Sequence, residues 1–205
     1  MRNPVKDAAN LFLFPLRCLF PNNECIGFLG VTPLSEERFE AVKPYLRGTV
    51  LDLGCGTNRL MKEYRERGGI GVGTDLIGNA DADVAIGAGE GLPFLEQSFD
   101  TIIMLASLNH IPDRQCVLGE CFRCLAPGGR IVITMLDRFV GTVGHFVWGL
   151  LGSDADLKHR EKSKGELMGM SKEEIYSALN LAGFRNVRHH SFAFRLNNLY
   201  VAEKI

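Results

Sequence analysis

Residues 50–60 read VLDLGCGTNRL, an apolar run that breaks at once into two glycines set one residue apart. A short continuous apolar run bounded by glycine reads as a buried strand. Glycines at a strand-to-helix junction let the backbone approach a ligand closely at a helix N-terminus. A dinucleotide fingerprint would carry a third glycine at position 59, where Arg59 stands. The loop alone therefore has two readings: the cradle of a nucleotide cofactor, or a tight turn. Asp75 ends the run GVGTD, 23 positions after Asp52. An acidic residue at the tip of a second strand accepts ribose hydroxyls, although it also serves to cap a turn. The loop and Asp75 together favour an adenosine-containing cofactor.

Outward from this loop the chain alternates short apolar runs with amphipathic ones. TVLDL, GVGTDL, DVAIG, FDTIIML and RIVITML read as five strands. NRLMKEYRERG reads as a helix stopped at Gly68-Gly69, and DRQCVLGECFRCLAPGG as a helix stopped at Pro127-Gly128-Gly129. SKEEIYSALNLAGF starts on Ser171 with Glu174 three residues on, a capping box. VRHHSFAF and LYVAEK form a closing pair of strands, with Asn197-Asn198 as the expected hairpin turn. RIVITML is apolar throughout, as a strand covered on both faces should be. The expectation is an α/β fold: a Rossmann-like, mostly parallel sheet with helices on both faces and a C-terminal antiparallel hairpin. Ligands of such sheets sit beyond the carboxyl ends of the strands, where strand order reverses.

The chain has 205 residues, the size of one ordinary domain. It is 46% hydrophobic and 23% charged, with a formal net charge of -1 and no basic stripe, which excludes the electrostatic footprint of a nucleic-acid binder. No segment reaches the roughly 18–20 apolar residues of a membrane span, and LFLFPLRCLF is broken by Pro15 and Arg17. Six cysteines without a regular framework suit a reducing, cytoplasmic setting. Residues 1–34 form an apolar cap segment. Residues 138–170 are too long for a bare connection and read as a lid or acceptor-binding insertion.

VLDLGCGTNR, GVGTD, GEGLPFLEQSFDTI, LNHI and CLAPGGRIVIT stand in this order. The set resembles the class I S-adenosylmethionine-dependent methyltransferases, in particular the small-molecule group of quinone and sterol methyltransferases. The likeness runs from Thr49 to Thr134, with a weaker echo in LAGFRNV and LNNLYVAEK. It implies a seven-stranded sheet with S-adenosylmethionine as cofactor. Gly54, Cys55 and Gly56 would lie under the methionine portion, and Asp52 would reach its amino group. Asp75 would hold the ribose hydroxyls and Leu76 would pack on the adenine. Gly89-Glu90 would flank the other side of the adenine, and Leu105 and Ala106 would meet the methionine end. Two departures stand out. Asn58 replaces a glycine but tolerates the left-handed conformation, and Ala88 stands where an Asp often meets the adenine amino group.

Methyl transfer is an in-line displacement in which the protein supplies orientation and a dry pocket. His110, in LNHIP, is the candidate catalytic base; its alternative role is to order the loop before Pro112. Arg59 either pairs with the cofactor carboxylate or is a solvated helix-start arginine. His145 is a lid residue or a surface histidine. His189 and His190 alternate across a strand and cannot share a site. Cys121-x-x-Cys124 lacks a partner pair and reads as core, so no metal site is expected. An Asn/Asp-Pro-Pro-aromatic stretch and a Pro-Cys pair are both absent, which disfavours nucleic-acid methylases. The apolar segments LFLFPLRCLF and HFVWGLLG either close an apolar acceptor pocket or bury a helix against the sheet. The function expected is methyl transfer to a small hydrophobic acceptor. The alternatives are a cofactor-binding module without turnover and, less well matched, a nicotinamide-dependent oxidoreductase.

Overall fold

The computed structural model describes residues 12, 32–87, 91–136, 169–193 and 197–205. The candidate residues Gly89, Glu90 and His145 lie outside them, as do Ala88 and nearly all of 1–34 and 138–170. Among the described residues the elements are α1 Leu34–Val42, β1 Thr49–Leu53, α2 Arg59–Glu66, β2 Ile70–Leu76, β3 Val84–Ile86 and β4 Phe99–Leu105. They continue with α3 Arg114–Cys124, β5 Leu125–Leu136, α4 Lys172–Leu181, β6 Arg185–Phe192 and β7 Asn197–Glu203. Short 3₁₀ turns cover Lys43–Tyr45 and Leu108–His110.

The seven strands form one sheet in the order β3-β2-β1-β4-β5-β7-β6. β1, β2, β3, β4 and β5 pair in parallel, and β7 runs antiparallel to both β5 and β6. Strand order reverses between β1 and β4, which places the ligand crevice at their carboxyl ends.

Strand alternation divides the core in two. Leu51, Leu53, Ile102, Met104, Ile131, Ile133, Met135 and Tyr200 join Leu118, Cys121, Ile175 and Leu179 of α3 and α4. Val50, Ile103, Val132, Leu199 and Val201 join Val42, Leu60 and Met61 of α1 and α2. Burying each large aliphatic side chain is worth about 1.5–3 kcal/mol, so a sheet covered on both faces draws most of its stability from these two layers. Helices therefore lie on both faces, as the continuous apolar strands required.

Local signals set the helix ends. After α2 the N–H of Gly69 donates to Tyr64 O (3.0 Å) and that of Gly68 to Arg65 O (2.9 Å), a Schellman stop with Gly68 at φ +84°. At α4 Ser171 Oγ accepts from Glu174 N (3.2 Å) while Glu174 Oε2 accepts from Ser171 N (2.6 Å), the capping box read from the sequence. Two expectations are corrected. α3 ends at Cys124, and Leu125–Gly129 already belong to β5, because Leu125 pairs with Phe99 across a register irregularity in β4. Asn197 and Asn198 are not the hairpin turn: they open β7, opposite Leu136 and Met135 of β5. Tertiary pairing overrides the local turn preference of Asn because both side chains are buried and hydrogen-bonded.

Candidate functional site

The carboxyl ends of β1, β2 and β4 are tied together by the glycine loop. Gly54 N and Cys55 N both donate to Thr74 O (2.8 and 2.9 Å), and Gly56 N donates to Asp75 Oδ2 (2.8 Å). The amides expected to face a ligand are thus spent on β2, so the glycines act here through close approach and backbone shape. Gly54 sits at φ +85°, and a Cβ on it would lie 2.5 Å from Ser107 Cβ. Ser107 Oγ in turn donates to Leu53 O (2.6 Å), strapping the end of β4 to that of β1. Asn58 occupies the left-handed region (φ 57°, ψ 21°), as expected of the residue replacing a glycine. Its fully buried amide donates to Asp81 O (3.0 Å) and fits only because Gly73 has no side chain, since a Cβ there would come within 2.1 Å of Asn58 Oδ1.

Asp52 and Asp75 carry the charge of the crevice. Asp52 is 1% exposed, and its Oδ1 has no hydrogen-bond partner among the described residues. Burial, with Asp75's charge adding to it, pushes the Asp52 carboxyl up to about 7. A buried carboxylate oxygen without a donor is costly, and a cationic group arriving at this spot removes that cost. Asp75 is half-buried at the end of β2. Its Oδ2 accepts from Gly56 N and from Asn79 Nδ2 (2.9 Å), while Asn79 Nδ2 also reaches Gly56 O (2.8 Å). Asn79 is a clamp that the sequence reading missed, and no spacing rule marks it.

Beside Asp75 the apolar side chains of Leu76 and Ile77 are 46% and 73% exposed, a surface suited to a flat base. At the end of β4 Leu105 packs on the α1–α2 core, and Ala106 adopts φ +52° with its N–H donating to Thr134 O (3.0 Å). A non-glycine left-handed residue stores local strain, which concentrates at functional sites. Cys55 is half-buried, and burial followed by the charges of Asp52, Asp75 and Asp83 raises its thiol to about 12. A neutral thiol is no nucleophile at physiological pH.

Other candidates fall elsewhere. Arg59 sits at the start of α2, where it pairs with Glu36 (2.8 Å) and Glu63 (2.7 Å) and lies 5.2 Å over the Phe39 ring. Its charge is met there by two carboxylates. His110 closes the 3₁₀ turn after β4 with Nε2 3.2 Å from Asn109 Nδ2. Cys121 and Cys124 are buried free thiols, both raised by burial, and no metal-ligating cluster occurs among the described residues. His189 stacks on Tyr200 and meets Asn198 Oδ1 (2.8 Å), while His190 is exposed.

The residues have the chemistry an adenosyl amino acid needs: a buried carboxylate oxygen without a donor among the described residues, able to meet an ammonium, a second carboxylate able to accept from hydroxyls, and exposed aliphatic surface able to carry a flat base. Residues 51–133 match the methyltransferase domain family. The chain is 30% identical over 127 residues to the ubiquinone/menaquinone biosynthesis C-methyltransferase UbiE of Geotalea daltonii, covering 56% of this chain and about half (53%) of that protein's length. It is 28% identical over 180 residues to the demethylmenaquinone methyltransferase of Thermotoga maritima, covering 76% and 78% of the two. A Thermotoga maritima SAM-dependent methyltransferase, described as a possible histamine N-methyltransferase, shares the fold at 19% identity and TM-score 0.61, over 83% of this chain and 89% of that one. Residues 51–133 thus match a methyltransferase domain, the fold is shared with S-adenosylmethionine-dependent methyltransferases, and the chain resembles the quinone methyltransferases.

Proposed function

We propose that the protein transfers a methyl group from S-adenosylmethionine to a small, apolar acceptor. The observation that carries this reading is the donorless buried Oδ1 of Asp52 beside Asp75 at the strand-order reversal. In this reading Asp52 holds the amino group of the cofactor, and Gly54, Cys55 and Gly56 underlie its methionine part. Asp75, braced by Asn79, takes the ribose hydroxyls. Leu76 packs on the base, Gly89 and Glu90 flank it, and Leu105 and Ala106 border the sulfonium end. The cofactor brings an activated methyl group, so the chain's work is to orient and desolvate.

His110 is the proposed base. Its Nε2 accepts from Asn109 as long as Asn109 Nδ2 faces it, so base action requires that contact to open. The segments 1–34 and 138–170 are proposed to close an apolar acceptor pocket, in keeping with the quinone methyltransferases among the relatives. No helix of the described residues is long and apolar enough to cross a membrane, and the free thiols suit a cytoplasmic setting.

The test is incubation with methyl-labelled S-adenosylmethionine and a panel of apolar phenols and hydroquinones. Label moving into an organic-extractable product supports the reading. Tight cofactor binding with no transfer to any acceptor, apolar or polar, would leave a binding module without turnover. Transfer confined to small polar acceptors would overturn the apolar pocket.

A further inference from the structure

Three strands from Asp52, on the same face of the sheet, a second polar site lies where the carboxyl end of β5 meets the amino end of β7. Asn197 is fully buried and faces the α1–α2 layer, as Leu199 and Val201 do farther along β7. Arg38, half-buried on α1, donates from Nε to Asn197 Oδ1 (3.2 Å). A guanidinium has only donors, so this bond fixes the amide orientation: Oδ1 faces Arg38 and Nδ2 faces away. Asn197 Nδ2 is buried and has no partner among the described residues. Among the described residues Arg38 meets no carboxylate, in contrast to Arg59, which is paired with Glu36 and Glu63. Burial alone lowers the Arg38 guanidinium to about 10. A partly desolvated cation with no counter-charge among the described residues, and an amide donor with no acceptor among them, have one common remedy, an anionic oxygen.

We propose that Arg38 and Asn197 bind an anionic oxygen, carboxylate or phenolate, of the methyl acceptor. The acceptor is then amphipathic, with an apolar body and one acidic head. The inference rests on the methyltransferase reading for the identity of the ligand, while the anion site itself does not. Distance separates acceptor from cofactor. Asn197 stands three strands from Asp52 in the order β1-β4-β5-β7, about 14 Å at the usual strand spacing. The carboxylate and ammonium of one α-amino acid are about 3 Å apart. An amino acid held at Asp52 cannot also place its carboxylate at Asn197.

The test titrates benzoate, and benzamide as its neutral counterpart, into the full chain with and without S-adenosylhomocysteine, followed by ligand-observed NMR. Wild type is compared with Arg38→Met, Arg38→Lys and Asn197→Leu. Losing a charge-assisted bond predicts benzoate binding weakened about tenfold or more in Arg38→Met, with partial retention in Arg38→Lys, and benzamide weaker than benzoate by a similar factor. S-adenosylhomocysteine affinity should stay within about threefold. Arg38→Met removes a partly desolvated charge but leaves Asn197 Oδ1 without its donor, so melting is followed alongside binding; should Arg38→Met or Asn197→Leu unfold, Arg38→Lys and the benzoate–benzamide comparison on wild type decide. Equal binding of benzoate and benzamide, or benzoate binding indifferent to Arg38→Met, overturns the site. A tenfold loss of S-adenosylhomocysteine in Arg38→Met gives the site to the cofactor and overturns the acceptor assignment. Wild type that takes benzoate but not S-adenosylhomocysteine keeps the anion site and removes the methyltransferase reading.

Discussion

Asp52 is the residue whose chemistry makes the sharpest demands. Its carboxyl titrates near 7 in the folded chain, against an ordinary value of 3.8. A carboxyl raised in this way binds more protons folded than unfolded, so its contribution to stability is fully present below about pH 4 and is lost as pH rises through 7. The effect is on the order of a few kcal/mol. Glu63, Asp83 and Glu120 are shifted downward, so what they contribute is lost only in acid, below that window. The cofactor-free protein should therefore melt lower at pH 8 than at pH 5.5, and Asp52→Asn should flatten that difference, as followed by calorimetric melting; a wild-type melting point that rises across this range contradicts the assignment. An ammonium arriving at Asp52 favours its charged form. Binding of S-adenosylhomocysteine at pH 6 should then release protons, seen as a binding enthalpy that varies with the ionisation enthalpy of the buffer. Asp52 was legible in the sequence as a family position, whereas its missing donor was not, because satisfaction of a buried oxygen depends on every element around it.

At the scale of elements, the glycine loop and the helix ends carry separable predictions. Gly54→Ala meets both a positive φ and the side chain of Ser107, and should cost about 1–3 kcal/mol in denaturant unfolding. Adding Ser107→Gly relieves the clash but not the backbone strain, so the double variant should recover only part of the loss; full recovery would assign the whole cost to Ser107. Ser171→Ala removes one half of the α4 capping box and should cost about 1 kcal/mol with cofactor affinity unchanged. The elements legible from sequence are those with local signals: α2 through its Gly68-Gly69 stop, α4 through Ser171 and Glu174, and the central strands through continuous apolar runs. α1 escaped because it has no side-chain cap, although Pro33 before it and Glu36 and Glu37 in its first turn were signals of a helix start. The pair Asn197-Asn198 misled because its turn preference is local, while its place in β7 is fixed by pairing with β5.

Across the whole molecule, the site exists only because β1, β2 and β4 end together. Asp52, Asp75 and Ser107 are far apart in the chain, and Thr74 O, Gly56 N and Leu53 O join them into one rim. The sequence placed the three strand ends at a common crevice through fold rules alone. It could not show that Arg59 is neutralised by Glu36 and Glu63, or that Asn79 braces Asp75, since those contacts arise from packing between elements. That this rim binds an adenosyl amino acid through Asp75 is tested most directly by titration calorimetry of S-adenosylhomocysteine into wild type and Asp75→Ala. Wild type should bind it saturably and one to one, and the variant about tenfold or more weaker, through loss of charge-assisted hydrogen bonds to the ribose. Wild-type protein that binds no S-adenosylhomocysteine, or a variant that binds it as tightly, would contradict it.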